Sequence, residues 1–513
     1  QRQMCIRDSI QIMKKKNIII PLLFIASLLA SSCNDFLDKM PDNRAELTTE
    51  QKITRLLVSA YPSASFSMLA EMMSDNTQDN GTLYSAYSLM DEEAYHWQDV
   101  TEVSQDSPQY IWDNYYLAIA SANHAIKAIE ELGMDKNSPQ KGEALLCRAY
   151  AHFILVNLFC QHYNTATSTR DMGIPYVEEP ETTVSKNYDR GTVADVYAKI
   201  AEDIEAGIPL IDDQIYTVPR YHFNYKAACA FASRFYLWYE KYDKVIRYAT
   251  LALGETPDEV MRDFNGDAKT SDWNWRINNY VSAELNSNLL LLPAKSYWPI
   301  IHGPYSQGER YGHARSIAKT QTFWSPGLWG ENLSAYNTVF GSTPKMVYPK
   351  LGAFVEYTDK VAGTGFINLV YPAFTTDEAI LCRAEAYVYR QEYARALADM
   401  QTWLKGHTTT GGSLSLDNIK NYYAQDLTTK KPLHPKFTLE TGLQESFIHF
   451  ILHCRRIENI HEGLRWFDIK RYGIEIAHNR HGKTDDVLTT DDLRRAIQIP
   501  SSVISAGMPA NPR

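Results

Sequence analysis

Apolar residues recur at helical spacing over most of this chain. Residues 108–132 place Ile111, Tyr115, Ile119 and Ala122 on one face, and Ile126 and Ile129 continue it. Residues 140–160 carry Ala144, Leu145, Ala149, Phe153 and Val156 at similar spacing. A period near 3.6 residues predicts amphipathic helices in both stretches. Thr192-Val-Ala-Asp195 has the pattern of a capping box, with Asp as a shorter partner than Glu or Gln. It opens a third helix with Val196, Ile200 and Ile204 inward. The helical pattern returns at 443–473.

Two stretches repeat one another. The first runs Ala227 to Tyr239, then Lys241-Tyr242-Asp-Lys-Val245-Ile246, then Ala249 and Ala252-Leu253. The second runs Arg383 to Tyr389, then Glu392-Tyr393-Ala-Arg-Ala396-Leu397, then Leu404. Each reads as a helix with small residues, a short turn before Tyr, and a second helix. This is tetratricopeptide logic: small side chains let paired helices approach, and Tyr fills the gap at the turn. One such pair cannot bury its own face, so further pairs must stack on it. Residues 107–160 offer a degenerate pair.

The pattern breaks at 255–380, which is rich in Gly, Pro, Asn, Ser and aromatics. It reads as a long loop-rich insertion between helical blocks, the place where function usually sits. Residues 405–440 form a second polar, turn-rich stretch.

Composition narrows the class. At 513 residues, 44% hydrophobic and 22% charged, the chain suits two to four domains or one large repeat-built domain. Its net charge of −10 argues against nucleic acid, which needs clustered Lys and Arg. Cys147, Cys160, Cys229, Cys382 and Cys454 are scattered through apolar helical patterns, with no CxxC pair. Buried free thiols fit them better than a zinc site or a disulfide framework.

The N-terminal region reads as an export signal. Lys14, Lys15 and Lys16 precede an apolar run from Ile18 to Ala30, shorter than the ~20 residues a membrane span needs. Small residues then lead into Cys33, as in a bacterial lipobox, although Leu29 stands one place early. On this reading residues 1–12 are upstream read-through, 13–32 are a lipoprotein signal peptide, and Cys33 carries the lipid.

Several segments together resemble the SusD/RagB family of outer-membrane nutrient-binding lipoproteins. They are Asn34 to Pro41, Lys141-Gly-Glu-Ala-Leu-Leu-Cys-Arg148-Ala-Tyr150, Gly173-Ile-Pro175, and Arg190-Gly-Thr-Val193 with Asp203-Ile204. Then follow Arg455-Arg-Ile-Glu458, Glu462-Gly-Leu-Arg465-Trp-Phe-Asp468 and Arg471-Tyr-Gly473, and finally Ile499-Pro500 and Asn511-Pro512. Cys454 and Asn459 depart from the usual Glu and Leu. The resemblance implies a mainly α fold, a tetratricopeptide-like helical-pair scaffold with a loop-rich insertion. Its regions would be an N-terminal helical region 33–254, an insertion 255–380 holding the ligand, and a C-terminal helical region 381–513. It also implies a lipid-anchored protein on the outer membrane, facing outward beside a SusC-like TonB-dependent transporter. Within the charged segment, Arg465 and Asp468 stand three apart on a helix, within pairing reach.

Sugars offer apolar C–H faces and polar rims, so exposed Trp faces suit them. Trp97, Trp273, Trp275, Trp298, Trp324 and Trp329 lie in polar or loop stretches and are the candidate ligand residues. For each of them the competing reading is an anchor that packs its own loop. Trp112, Trp238, Trp403 and Trp466 lie in helical patterns and belong to the core. His449 and His453 have the i, i+4 spacing of metal ligands but lack the Glu of a metalloprotease helix. Asp263-Phe-Asn265-Gly-Asp267 resembles a calcium loop with its Gly misplaced. No G-x-S-x-G, phosphate-loop or dinucleotide motif is present, and no metal or cofactor is expected. The expected function is non-catalytic capture of an oligosaccharide for import. An exported α-helical glycoside hydrolase or lyase, and a tetratricopeptide peptide adaptor, stay open beside it.

Overall fold

The computed structural model describes residues 47–134, 137–181, 188–306, 308–330, 333, 344–409 and 414–513. The readings of residues 1–12, the signal at 13–32, Cys33 and Asn34–Pro41 lie outside the described residues.

The fold is mainly α. Ser107 and Ser138 each accept a backbone N–H at the start of α1 (Pro108–Glu131) and α2 (Pro139–Phe159), with Pro at the first helical position of both. The capping box forms as read: Thr192 and Asp195 satisfy one another's backbone N–H at the start of α3 (Val193–Gly207). α2 packs on both α1 and α3. The approach to α3 is close, since a Cβ at Gly142 would stand 2.8 Å from the carbonyl oxygen of Gly207. Glycine is required there by the neighbouring backbone.

The two similar stretches form helix pairs, α4 (Tyr225–Trp238) with α5 (Tyr242–Leu253) and α7 (Thr376–Tyr389) with α8 (Tyr393–His407); α6 (Trp273–Tyr280) lies between them in sequence. α7 packs directly against α5, so the second pair stacks on the first and everything between them is looped out. The match reaches the turns. Glu240 and Gln391 hold the same left-handed conformation, at φ 59° and 60°. Tyr242 from the first turn stacks on Tyr389 at the second, with ring centroids 4.6 Å apart. Ala227, Ala228 and Ala232 on α4 and Ala379, Ala384 and Ala386 on α7 are buried. Trp112, Trp238, Trp403 and Trp466 are in the core, and the five cysteines are buried free thiols.

The last helices close the stack. α9 (Leu443–Glu458) lies against α7, and α10 (Leu464–Arg471) follows at the left-handed Gly463. Buried ion pairs tie the elements together. Arg148 of α2 forks onto Asp203 of α3 at 2.7 Å, and Arg383 of α7 meets Asp399 of α8 at 2.7 Å. Arg234 of α4 pairs with Glu378 of α7, and Arg471 of α10 with Glu385 of α7. The expected pairing of Arg465 with Asp468 is corrected. Arg465 reaches Asp75, outside the helix, at 2.8 and 3.0 Å. Asp468 instead accepts from Arg455 at 3.1 Å and stands 3.4 Å from Arg471. Burial explains the exchange: a guanidinium taken out of water needs a bidentate carboxylate, and a same-helix neighbour offers poorer geometry.

Residues 255–375 are less loop-like than their composition. They contain α6 and a three-stranded antiparallel sheet in the order β1-β3-β2, with β1 Asn288–Lys295, β2 Phe354–Asp359 and β3 Thr364–Thr375. β1 and the second half of β3 are buried, and β3 runs straight into α7. β2 and the first half of β3 form a hairpin whose side chains face solvent. The sequence at Asp263 is a short helical turn, its carboxylate accepting the Gly266 N–H at 2.9 Å.

Candidate functional site

The six candidate tryptophans separate by burial. Trp97 is 3% exposed; its indole donates to the Met73 carbonyl oxygen at 2.9 Å, and its ring stacks on His478 at 4.1 Å. Trp298 is buried between His302 and His461. Trp329 is buried beside His453, with ring centroids 4.9 Å apart, and leaves no room for a Cβ at Gly327. These three rings pack the polypeptide, and their faces are taken.

Trp273, Trp275 and Trp324 differ. Trp273 is half-buried at the start of α6 and meets the exposed Tyr305 edge-on at 5.3 Å. Trp275 is 46% exposed. Two residues on a helix turn through about 200°, so Trp273 and Trp275 serve different faces of α6. Trp324 is half-buried next to Phe323, its backbone N–H held by the Ala318 carbonyl at 2.9 Å.

The loop that carries Trp324 and Trp329 borders a shallow depression. Thr429, Lys431 and Leu433 line one side; His449, Leu452, His453 and Arg456 of α9 line another; Arg465 and Ile474 complete it. The loop is fixed to this wall. Ser325 Oγ lies 2.8 Å from His453 Nε2, and Arg456 Nη1 donates to Gln321 Oε1 at 2.8 Å. Tyr423 holds the other ring nitrogen of His453 at 3.0 Å. The histidine pair noted in the sequence thus shares one face, as its spacing requires. Among the described residues no three His, Cys, Asp or Glu side chains come together as a metal site would need.

Charge in the depression is one-sided. Arg456 and Arg465 converge on the single carboxylate of Asp75. Burial pushes that carboxyl up, but the two guanidiniums outweigh it and hold it well below its usual range. Burial lowers Arg456 to about 10 and also lowers Lys431, which the two arginines push further the same way. Burial holds His449 down at about 4 and His453 at about 3, so both are neutral at pH 7. Lys431, Arg456 and Arg465 therefore face one carboxylate. Glu71, nearby, is pushed up to about 7 by burial and carries only part of a charge at neutral pH.

Sequence reasoning did not pick out Lys431 or Tyr305, and it read Arg456 and Arg465 only as parts of a charged helical segment. The helical spacing of His449, His453 and Arg456 was the one available signal for this wall. Nothing local ties Lys431 or Arg465 to it, because the three segments meet only in space.

Residues 35–237 match the family model described as "Starch-binding associating with outer membrane", SusD-like. Solved structures share the fold across the chain. A SusD superfamily protein from Bacteroides fragilis aligns at 18% identity over 90% of this chain and 99% of that one, with a TM-score of 0.63. One from Bacteroides thetaiotaomicron aligns at 17% identity, over 90% and 98%, with a TM-score of 0.61. A SusD-like carbohydrate binding protein from Bacteroides vulgatus aligns at 14%, over 89% and 96%, with a TM-score of 0.58. No curated protein matches the chain. No helix of the described residues is long and apolar enough to cross a membrane. The chain thus matches a SusD-like family model in sequence over residues 35–237 and shares the fold of SusD superfamily structures through the rest.

Proposed function

We propose that this protein captures an oligosaccharide at the outer membrane without cleaving it, and passes it to a SusC-like TonB-dependent transporter. Starch binding and outer-membrane association in the family description support the ligand class and the location. The proposed anchor is lipid on Cys33, with the body facing the cell exterior.

The observation that carries the reading is where incompletely buried aromatic rings occur. Trp273, Trp275, Tyr305 and Trp324 all belong to the segment between the stacked helix pairs, and none is fully buried. Rings of this kind match the C–H faces of sugars. Trp97, Trp298 and Trp329 have no free face and are assigned to packing.

Affinity electrophoresis of residues 34–513 through gels cast with different polysaccharides tests the reading. Retardation by at least one glycan, with no new reducing ends on long incubation, is the expected result. Release of reducing ends would favour the hydrolase alternative. Retardation by none would turn attention to peptides.

A further inference from the structure

The depression along α9 has a chemistry that neutral sugar recognition does not call for. Lys431 Nζ makes no hydrogen bond or ion pair with any described residue, although burial already disfavours its charge. Arg465 spends Nε and Nη2 on Asp75, and its Nη1 makes no bond to a described residue. His449 is 7% exposed and its ring has no hydrogen-bond partner among the described residues. Thr429 Oγ1 is a buried hydroxyl with no partner among them. All four side chains line the same depression. Buried polar groups are normally satisfied; Thr429 Oγ1 is a buried exception, and the Lys431, Arg465 and His449 groups open on the same space with no partner among the described residues.

Their chemistry agrees. Lys431 and Arg465 are donors only, and Thr429 and neutral His449 can donate as well. Three cations face one carboxylate in a protein whose net charge is −10, so the local field is opposite to the global one. The space encloses about 270 Å³ including the solvent above it. The depression is shallow and open, so it would meet a substituent at its mouth rather than enclose a saccharide.

We propose that this depression is a subsite for an oxyanion, a carboxylate or a sulfate ester borne by the captured saccharide. Its source rests on the function proposed above; its charge does not. The anionic group would sit between Lys431 and Arg465. Arg456 and Arg465 stay on Asp75 and hold the floor, and Lys431 supplies the free charge.

Lys431→Gln tests this without touching the Asp75 pairs. The first probe is inorganic sulfate, read as the thermal midpoint in sodium sulfate against sodium chloride at equal ionic strength. The wild type should gain about 2–4 °C near saturation and the variant nothing. The second uses matched pairs: oligogalacturonate against its methyl ester, and sulfated dextran oligomers against dextran. The charged member of one pair should bind at least tenfold tighter than its neutral partner, and Lys431→Gln should erase that margin alone. The pair that responds tells carboxylate from sulfate. Equal sulfate shifts in both proteins would overturn the subsite, as would a charge preference that survives Lys431→Gln. Neutral saccharides bound with no sulfate effect would leave the proposed function standing and remove this inference. A sulfate effect with no saccharide bound would do the reverse, leaving an anion site and removing the saccharide.

Discussion

The stacked helix pairs and the segment looped out between them use apolar residues in opposite ways. On α4 and α7 even small side chains are sealed: Ala228, Ala232, Ala384 and Ala386 are all at 0% exposure. In the β2–β3 hairpin, Phe354, Tyr357, Val361 and Phe366 face solvent. Burial drives folding, so the first set is explained by stability. The second contributes little to it, and a cluster of exposed apolar groups marks a surface kept for contact. The molecule separates a part whose apolar groups are sealed from a part whose apolar groups stay in water.

The sharpest way to break this contrast is at the buried charges of the scaffold. Asp468→Ala would leave Arg455 and Arg471 short of a buried carboxylate and should cost about 3–5 kcal/mol. Loss of soluble protein, or a large fall in the thermal midpoint, is the expected readout. Overpacking comes next. Ala384→Leu drives a larger side chain into α7 where helices meet and should cost about 1–3 kcal/mol, measured by urea unfolding.

Acid should loosen the joint between the two regions. His453 bridges Ser325 of the insertion and Tyr423. Burial depresses it to about 3, and His449 to about 4, from an ordinary value of 6.5. The folded form therefore favours the neutral rings. Their contribution is complete above pH 6.5 and is lost as the pH falls toward 4, where the unfolded chain binds more protons. The midpoint should decline over that range, and less steeply in His453→Gln.

The smallest effect sharpens the contrast from the other side. Trp275→Ala should change stability by less than about 0.5 kcal/mol. It should weaken saccharide binding by about 1 kcal/mol, or roughly fivefold, in titration calorimetry. A stability loss as large as that of Ala384→Leu would show that this ring packs the fold.

What the sequence revealed follows the range of the forces involved. The helix pairs, the turn tyrosines and the Thr192–Asp195 box are local patterns, and the structure contains them. The hairpin at 354–366 has residues suited to strands, but with both faces wet it shows no alternation to read. Trp97 lies among polar neighbours, and its cover is His478, from a strand near the other end of the chain. Arg465 was matched to a carboxylate three residues away and belongs to one far away. The basic depression had no local signature, since its walls come from three segments.

That distant carboxylate sets the order of events during folding. Asp75 and Arg465 are 390 residues apart, and Arg190 is held by Asn511 from 321 residues away. Such closures carry a high entropic cost until neighbouring contacts exist, and they slow folding. A nascent chain that has made only its first helices holds Asp75 without either guanidinium that keeps it charged in the native state. The first helical region can form its pairs early, but it is locked only when the last tenth of the chain arrives. Completion of the fold therefore requires the last tenth of the chain, and a truncated chain lacks the contacts that close it.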